Sequence, residues 1–285
     1  MTDGTVYTAG WSLDDIPWER FDRTKTERGM IDAVKAAALV EYNASAYVSY
    51  LARVFRGADS SIADFERWGE EEAQHGRALG RWAEMADPEW NFERAFARFR
   101  AGYKPPHFAS EESTSVRGSR RGEMIARCVV ESGTSSYYSA IRDATDEPVL
   151  REIAGHVAAD EFRHYKLFFD TLHAQVEPEL PFWRRLLVAL GRINESDDDE
   201  LAFAYYCANV PAEEEAVKPY IRRLYAKASF ARTGHIYRHH HIRKLVQMVA
   251  KAVGAKPQSR TTEAAATLMW RVLRFRAGSG KSAAA

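Results

Sequence analysis

Cysteine is almost missing from this 285-residue chain: only Cys128 and Cys207 occur, far apart and in no CxxC pair. That argues against a disulfide scaffold, a zinc ribbon or an iron–sulfur centre, and it fits two buried, reduced thiols. Long apolar runs are missing too. No stretch of about 18 apolar residues exists, so no transmembrane helix is expected. The opening MTDGTVYTAGWSLDDIPWERFD has no basic segment leading into an apolar one, so no secretory signal is expected. There is no Gly-rich dinucleotide fingerprint, no β-type alternation and no repeat of fixed period. With 46% hydrophobic and 28% charged residues, the expectation is a cytoplasmic globular protein.

A net charge of zero conceals an asymmetry. From Ala216 to Ala285, fifteen Lys or Arg face one acid, Glu263, a balance of +14, so the first 215 residues carry −14. A basic end of this kind can pack on an acidic body. It can also dock an acidic carrier protein, an anionic membrane surface or nucleic acid.

What the chain has in quantity is helical periodicity, which predicts an all-α fold. Four rods are expected: 31–56, ending at Gly57; 61–85, stopped by Asp87-Pro88; 119–144; and 148–173, with Pro148 in its first turn. Rods of roughly 25 residues span about 38 Å. Short loops make each consecutive pair antiparallel, and a long crossover containing Pro105-Pro106 joins the pairs. Further helices are expected at 182–192, 198–208, 213–253 (open to a break near Gly234) and 262–276. The domain reading is an N-terminal extension (1–30), a four-helix bundle (31–176), a basic helical extension packed on it (177–277) and a disordered tail (278–285).

Two Glu-x-x-His motifs stand out, Glu72-Ala-Gln-His75 and Glu161-Phe-Arg-His164. On a helix, residues three apart share a face, so each motif can present a carboxylate and an imidazole to one point. Either motif alone is weak evidence. In an antiparallel hairpin, however, residues equidistant from the loop lie level. Glu41 and Glu72 are centred on position 56.5, beside the first turn, and Glu131 and Glu161 on position 146, inside the second. Each hairpin therefore sets a lone Glu level with a Glu-x-x-His. Glu41 lies in the apolar stretch AAALVEYNA and Glu131 follows Cys-Val-Val, where a carboxylate is costly to bury unless paired or bound to a metal. The expected ligand set is Glu41, Glu72, His75, Glu131, Glu161 and His164. Its mixed oxygen and nitrogen donors suit two iron ions, or a manganese–iron pair.

EEAQHGRAL (71–79) and DEFRHYKLF (160–168) resemble the paired motifs of the acyl-carrier-protein desaturases, within the ferritin-like di-iron superfamily. The resemblance covers roughly residues 31–175. It implies a ferritin-like bundle, the six ligands above, and a hydroxyl beside the O2-binding face at Thr134, which could relay protons there or simply bond its own helix backbone. Asp160 and Glu71 are candidates to orient the ligand imidazoles through their outer N–H groups. Tyr42, Trp68, Tyr137, Tyr138 and Phe162 are expected in the core. Gly69, Gly76 and Gly133 suggest tight packing or room for a small molecule. The histidines from His235 to His241 are not read as a second metal site.

The leading expectation is an O2-dependent di-iron oxidase or oxygenase acting on an unactivated C–H bond of a long-chain acyl substrate. Its electrons would come from an external ferredoxin or flavin reductase, and its substrate from an acidic acyl carrier protein. A homodimer is expected. The alternatives are a ferroxidase or peroxide-scavenging protein without a substrate cavity, and a helical scaffold without metal.

Overall fold

A computed structural model describes residues 10–105, 113–195 and 199–281, and every regular element among them is helical. Short 3-10 turns between Leu13 and Lys25 lead into α1 (Arg28–Tyr42), α2 (Ala44–Val54), α3 (Asp59–Ala86) and α4 (Phe92–Gly102). The chain continues through α5 (Arg120–Ala144), α6 (Pro148–Ala174), α7 (Phe182–Glu195) and α8 (Asp199–Asn209). It ends in α9 (Arg222–Thr233), α10 (His239–Ala252) and α11 (Arg260–Lys281).

The first expected rod, 31–56, is broken. Helix α1 stops at Tyr42, and Asn43 (φ −82°, ψ 4°) restarts the chain as α2. Two tertiary contacts act at the break. The Tyr42 backbone lies so close to Gly76 of α3 that a Cβ there would come within 2.7 Å of the Tyr42 nitrogen. Asn43 donates from Nδ2 to Oε1 of buried Glu200 on α8 at 3.1 Å. The expected 213–253 rod also divides, into a 3-10 turn at Ala212–Glu214, then α9 and α10. Pro219, which has no amide hydrogen to donate, falls in the first gap. The final helix runs past Arg276 to Lys281; 282–285 of the expected tail, 1–9 of the extension and 106–112 of the crossover lie outside the described residues.

Helix α3 packs on α1 and α2, α5 packs on α6, and α3 also meets α6. Gly57 closes the first hairpin with φ +86°, a conformation open to glycine at little cost. The apolar core is split into two clusters. One gathers Leu39, Leu79, Trp82, Tyr138, Ile153, Val157 and, from α8, Tyr206 and Cys207. The other gathers Leu51, Phe65, Trp68, Met124, Cys128, Phe168 and, from α10, Met248. Each of the four long rods feeds both clusters, and the polar residues between them form a layer across the middle. Both cysteines are buried and unpaired.

Glu147 pins one end of this frame. Fully buried, it caps α6 by accepting from the amides of Val149 (3.2 Å) and Leu150 (2.7 Å), and it also takes Trp82 Nε1 of α3 (2.7 Å) and the Asp22 amide (3.1 Å). Glu147→Gln keeps the shape but replaces acceptor oxygen with a donor. It should cost about 1–2 kcal/mol, read as a lower urea midpoint at unchanged slope.

Candidate metal centre

Glu41 lies on α1, Glu72 and His75 on α3, Glu131 on α5, and Glu161 and His164 on α6. None is more than 7% exposed. The fold brings all six into the polar layer as two overlapping groups, Glu41–Glu72–His75–Glu161 and Glu72–Glu131–Glu161–His164, each with donor atoms within 4.8 Å of one another. Glu72 and Glu161 belong to both groups. Either group could hold a metal ion.

The two imidazoles are oriented alike. Nδ1 of His75 faces inward, 3.3 Å from Glu161 Oε1 and 3.6 Å from Glu72 Oε2. Nδ1 of His164 also faces inward, 3.1 Å from Glu72 Oε1 and 3.8 Å from Glu131 Oε2. Each Nε2 points outward to a second carboxylate, His75 to Asp160 at 3.0 Å and His164 to Glu71 at 2.8 Å. The pairing is crosswise: the acid beside each Glu-x-x-His serves the histidine of the other motif. A carboxylate accepting from Nε2–H leaves the Nδ1 lone pair free to face the centre, as a metal ligand must.

Within the layer several atoms lack a partner: both Nδ1 atoms, both oxygens of Glu131 and Oε1 of Glu161. Orphaned buried donors and acceptors are rare in folded proteins and costly. Here they converge on one small volume lined by carboxylate oxygens and imidazole nitrogens, a donor set that fits cations. Charge tells the same story. Burial, and then the facing carboxylates, push Glu41 and Glu131 well above the ordinary carboxylate range. Burial opposes ionisation of Glu72, but Glu41 and the two facing imidazoles hold it well below that range. Burial likewise opposes charge on the histidines, yet their carboxylate partners raise His75 strongly and His164 to about 9. Without a cation, protons do the neutralising.

The hydroxyl of Thr134 donates to Glu161 Oε2, and it also lies 3.3 Å from the carbonyls of Val130 and Glu131. It touches a donor residue directly. Three neighbours of the centre were not read from the sequence. Tyr138, expected as plain core, donates its hydroxyl to Glu41 Oε1 at 2.5 Å. Trp11 donates from Nε1 to Asp160 Oδ2 at 2.8 Å and stacks over His75 with centroids 6.1 Å apart. Arg163 lies 2.5 Å from Asp160 Oδ1 and 3.7 Å from Glu71 Oε2, tying the two outer acids together. Trp11 is 149 positions from its partner, so no local pattern announces it; Arg163 sits inside a motif and was the findable one. Phe162 departs from the core expectation: it is 46% exposed, with Lys244 over its ring.

Asp143, His240 and His241 form a third donor group. Its chemistry disfavours a metal: His241 Nδ1 accepts the Arg238 amide at 3.0 Å, so the neutral ring carries its proton on Nε2, directed at Asp143. This is a helix-start contact. Comparison with protein-family models, curated proteins and solved structures gives no match for this chain.

If Asp160 orients His75, Asp160→Asn should weaken metal binding by about 10–100-fold. Competition with a chelator reads this directly, and unchanged affinity would remove Asp160 from the site.

Proposed function

We propose that this chain is a di-iron oxidoreductase of ferritin-like architecture, using O2 to oxidise an unactivated C–H bond of a long-chain acyl substrate. The observation that carries the reading is the pair of inward, partnerless Nδ1 atoms facing four buried carboxylates. Four ionised carboxylates with two neutral imidazoles call for about four positive charges, the charge of two divalent ions. Glu72 and Glu161, common to both groups, would hold both ions; Glu41 with His75, and Glu131 with His164, would complete each side. Iron, or iron with manganese, suits such donors.

When bound, the metal pair would activate O2, and O2 supplies the oxidising equivalents. The chain's residues do the rest. Asp160 and Glu71 fix the imidazole orientations, and Trp11 and Arg163 hold those acids in place. Thr134 and Tyr138 hold protons against Glu161 and Glu41, where a carboxylate that shifts would release them. The flanking apolar clusters exclude water. Electrons would come from an external reductase. The acyl substrate rests on the motif resemblance.

The test is to express the protein with iron, count bound metal, then supply reductant, O2 and a panel of acyl thioesters with mass detection. Expected are two ions per chain, lost in Glu131→Ala, and a product lighter by two hydrogens or heavier by one oxygen. Bound metal and O2 uptake with every acyl compound unchanged would favour iron oxidation. Protein free of metal after iron supplementation would end the proposal.

A further inference from the structure

Glu41 reaches the polar layer from the very end of α1, one residue before its last, Tyr42. The final turn is the least fixed part of a helix, because its carbonyls have no amides further along to bond. Here the chain does not fray. The Asn43 amide bonds back to the Val40 carbonyl at 3.1 Å, and α2 starts at once. Asn43 stands in the N-cap position of α2, where an asparagine side chain ordinarily accepts an amide of the new first turn. It makes no such cap. Buried at 2% exposure, its Nδ2 donates instead to Oε1 of Glu200 on α8, at 3.1 Å.

Glu200 makes a second bond to the same region. Its Oε2 accepts from the hydroxyl of Tyr47, one turn further along α2. Two features make this buried carboxylate tolerable. Both its oxygens are hydrogen-bonded, and it lies in the first turn of α8, where the helix dipole favours negative charge. The far end of α8 is tied down as well: Asn209 donates from Nδ2 to the Asp32 carbonyl of α1 at 3.0 Å. Residues 200 and 209 thus meet residues 43 and 32, so α8 runs antiparallel alongside α1.

We infer that Glu200 is a positioning residue for the metal centre: by holding Asn43 and Tyr47 it fixes the break that ends α1, and so keeps the Glu41 carboxylate in the polar layer. These partners lie 157 and 153 positions from it, so the helices beyond the bundle serve the centre without supplying a donor. The other five donors sit well inside α3, α5 and α6, where the helix itself fixes them. Glu41 is the donor that needs an outside hold. Gly76 limits how near α1 can come to α3, a repulsive constraint, whereas Glu200 supplies attraction at the residue where the chain turns into α2. The inference rests on the metal reading of the layer and adds to it a residue that touches no donor.

Full-length protein is stripped with a chelator and titrated with cobalt(II), whose absorption reports each ion as it binds; urea unfolding is followed in parallel. The unmodified protein should take up two ions. In Glu200→Ala one of them, the ion that Glu41→Ala also loses, should bind about tenfold or more weakly, and the other nearly as before. Glu200→Gln can accept from Asn43 and donate to Tyr47, so it should restore both. Tyr47→Phe removes one bond and keeps the ring; it should weaken the same ion less, and it decides the matter if Glu200→Ala does not fold. Glu147→Gln is the reference for a purely structural loss, with a lower urea midpoint at unchanged cobalt affinity. Unchanged affinity for both ions in the folded variants, or equal weakening of the two, overturns the inference and leaves the metal centre standing. An unmodified protein that binds no cobalt overturns the metal reading, and the inference with it.

Discussion

Stripping metal from the protein should lower its melting temperature far more at pH 9 than at pH 6. In the metal-free fold His164 keeps its proton to about pH 9, against about 6.5 in an unfolded chain. The stability that proton contributes is fully present below about pH 6.5 and is lost as pH rises through about 9. The shift corresponds to on the order of 3 kcal/mol. His75, also raised, acts in the same direction. So do Glu41 and Glu131, whose raised values mean that the fold binds protons the unfolded chain has released. The lowered Glu72 and Asp160 act at and below the ordinary carboxylate range, outside this window. A bound cation replaces those protons and binds more tightly as they leave. The gap between loaded and stripped protein should therefore widen by on the order of 10 °C across the window, by calorimetry with and without chelator. A gap independent of pH would mean that the six residues do not bind the metal.

Gly76→Val should damage the centre without touching a donor residue. A Cβ at Gly76 would lie 2.6 Å from Tyr42 Cβ, 2.7 Å from its nitrogen and 2.8 Å from its Cα. That is backbone and its root atom, which cannot swing aside, so α1 would have to back away from α3 and carry Glu41 with it. The expected cost is about 3 kcal/mol from overpacking, together with loss of most bound metal. Gly133→Ala is the control. It is also inside a helix, two residues from Glu131, but its added Cβ would meet nothing within 4 Å. It should be neutral or stabilise by about 0.5–1 kcal/mol through helix propensity. Metal count and urea midpoint on the two variants separate the cases, and equal behaviour would show that Gly76 is not a spacer.

The two hairpins illustrate what local pattern can carry. Pro148 after Thr145-Asp146-Glu147 and Gly57 after Arg56 place both turns, and the spacing of Glu41, Glu72, Glu131 and Glu161 about them sets four carboxylates level. The i, i+3 histidines then follow from helical geometry alone. The break at Asn43 does not, because its causes are Gly76, 33 positions on, and Glu200 on α8. The gap before α9 holds Pro219, a local breaker through which the expected 213–253 rod was run.

The amino-acid sequence by itself determined the helical class, the turn positions and the six residues that gather in the buried polar layer, since each depends on contacts within one helix or one hairpin. Tertiary structure alone decided which acid serves which imidazole, that Trp11 and Arg163 hold those acids, and that α7 keeps its apolar face in water. Those depend on how separate helices rotate and cross. Local periodicity sets which side of a helix is apolar, and packing decides whether that side is covered.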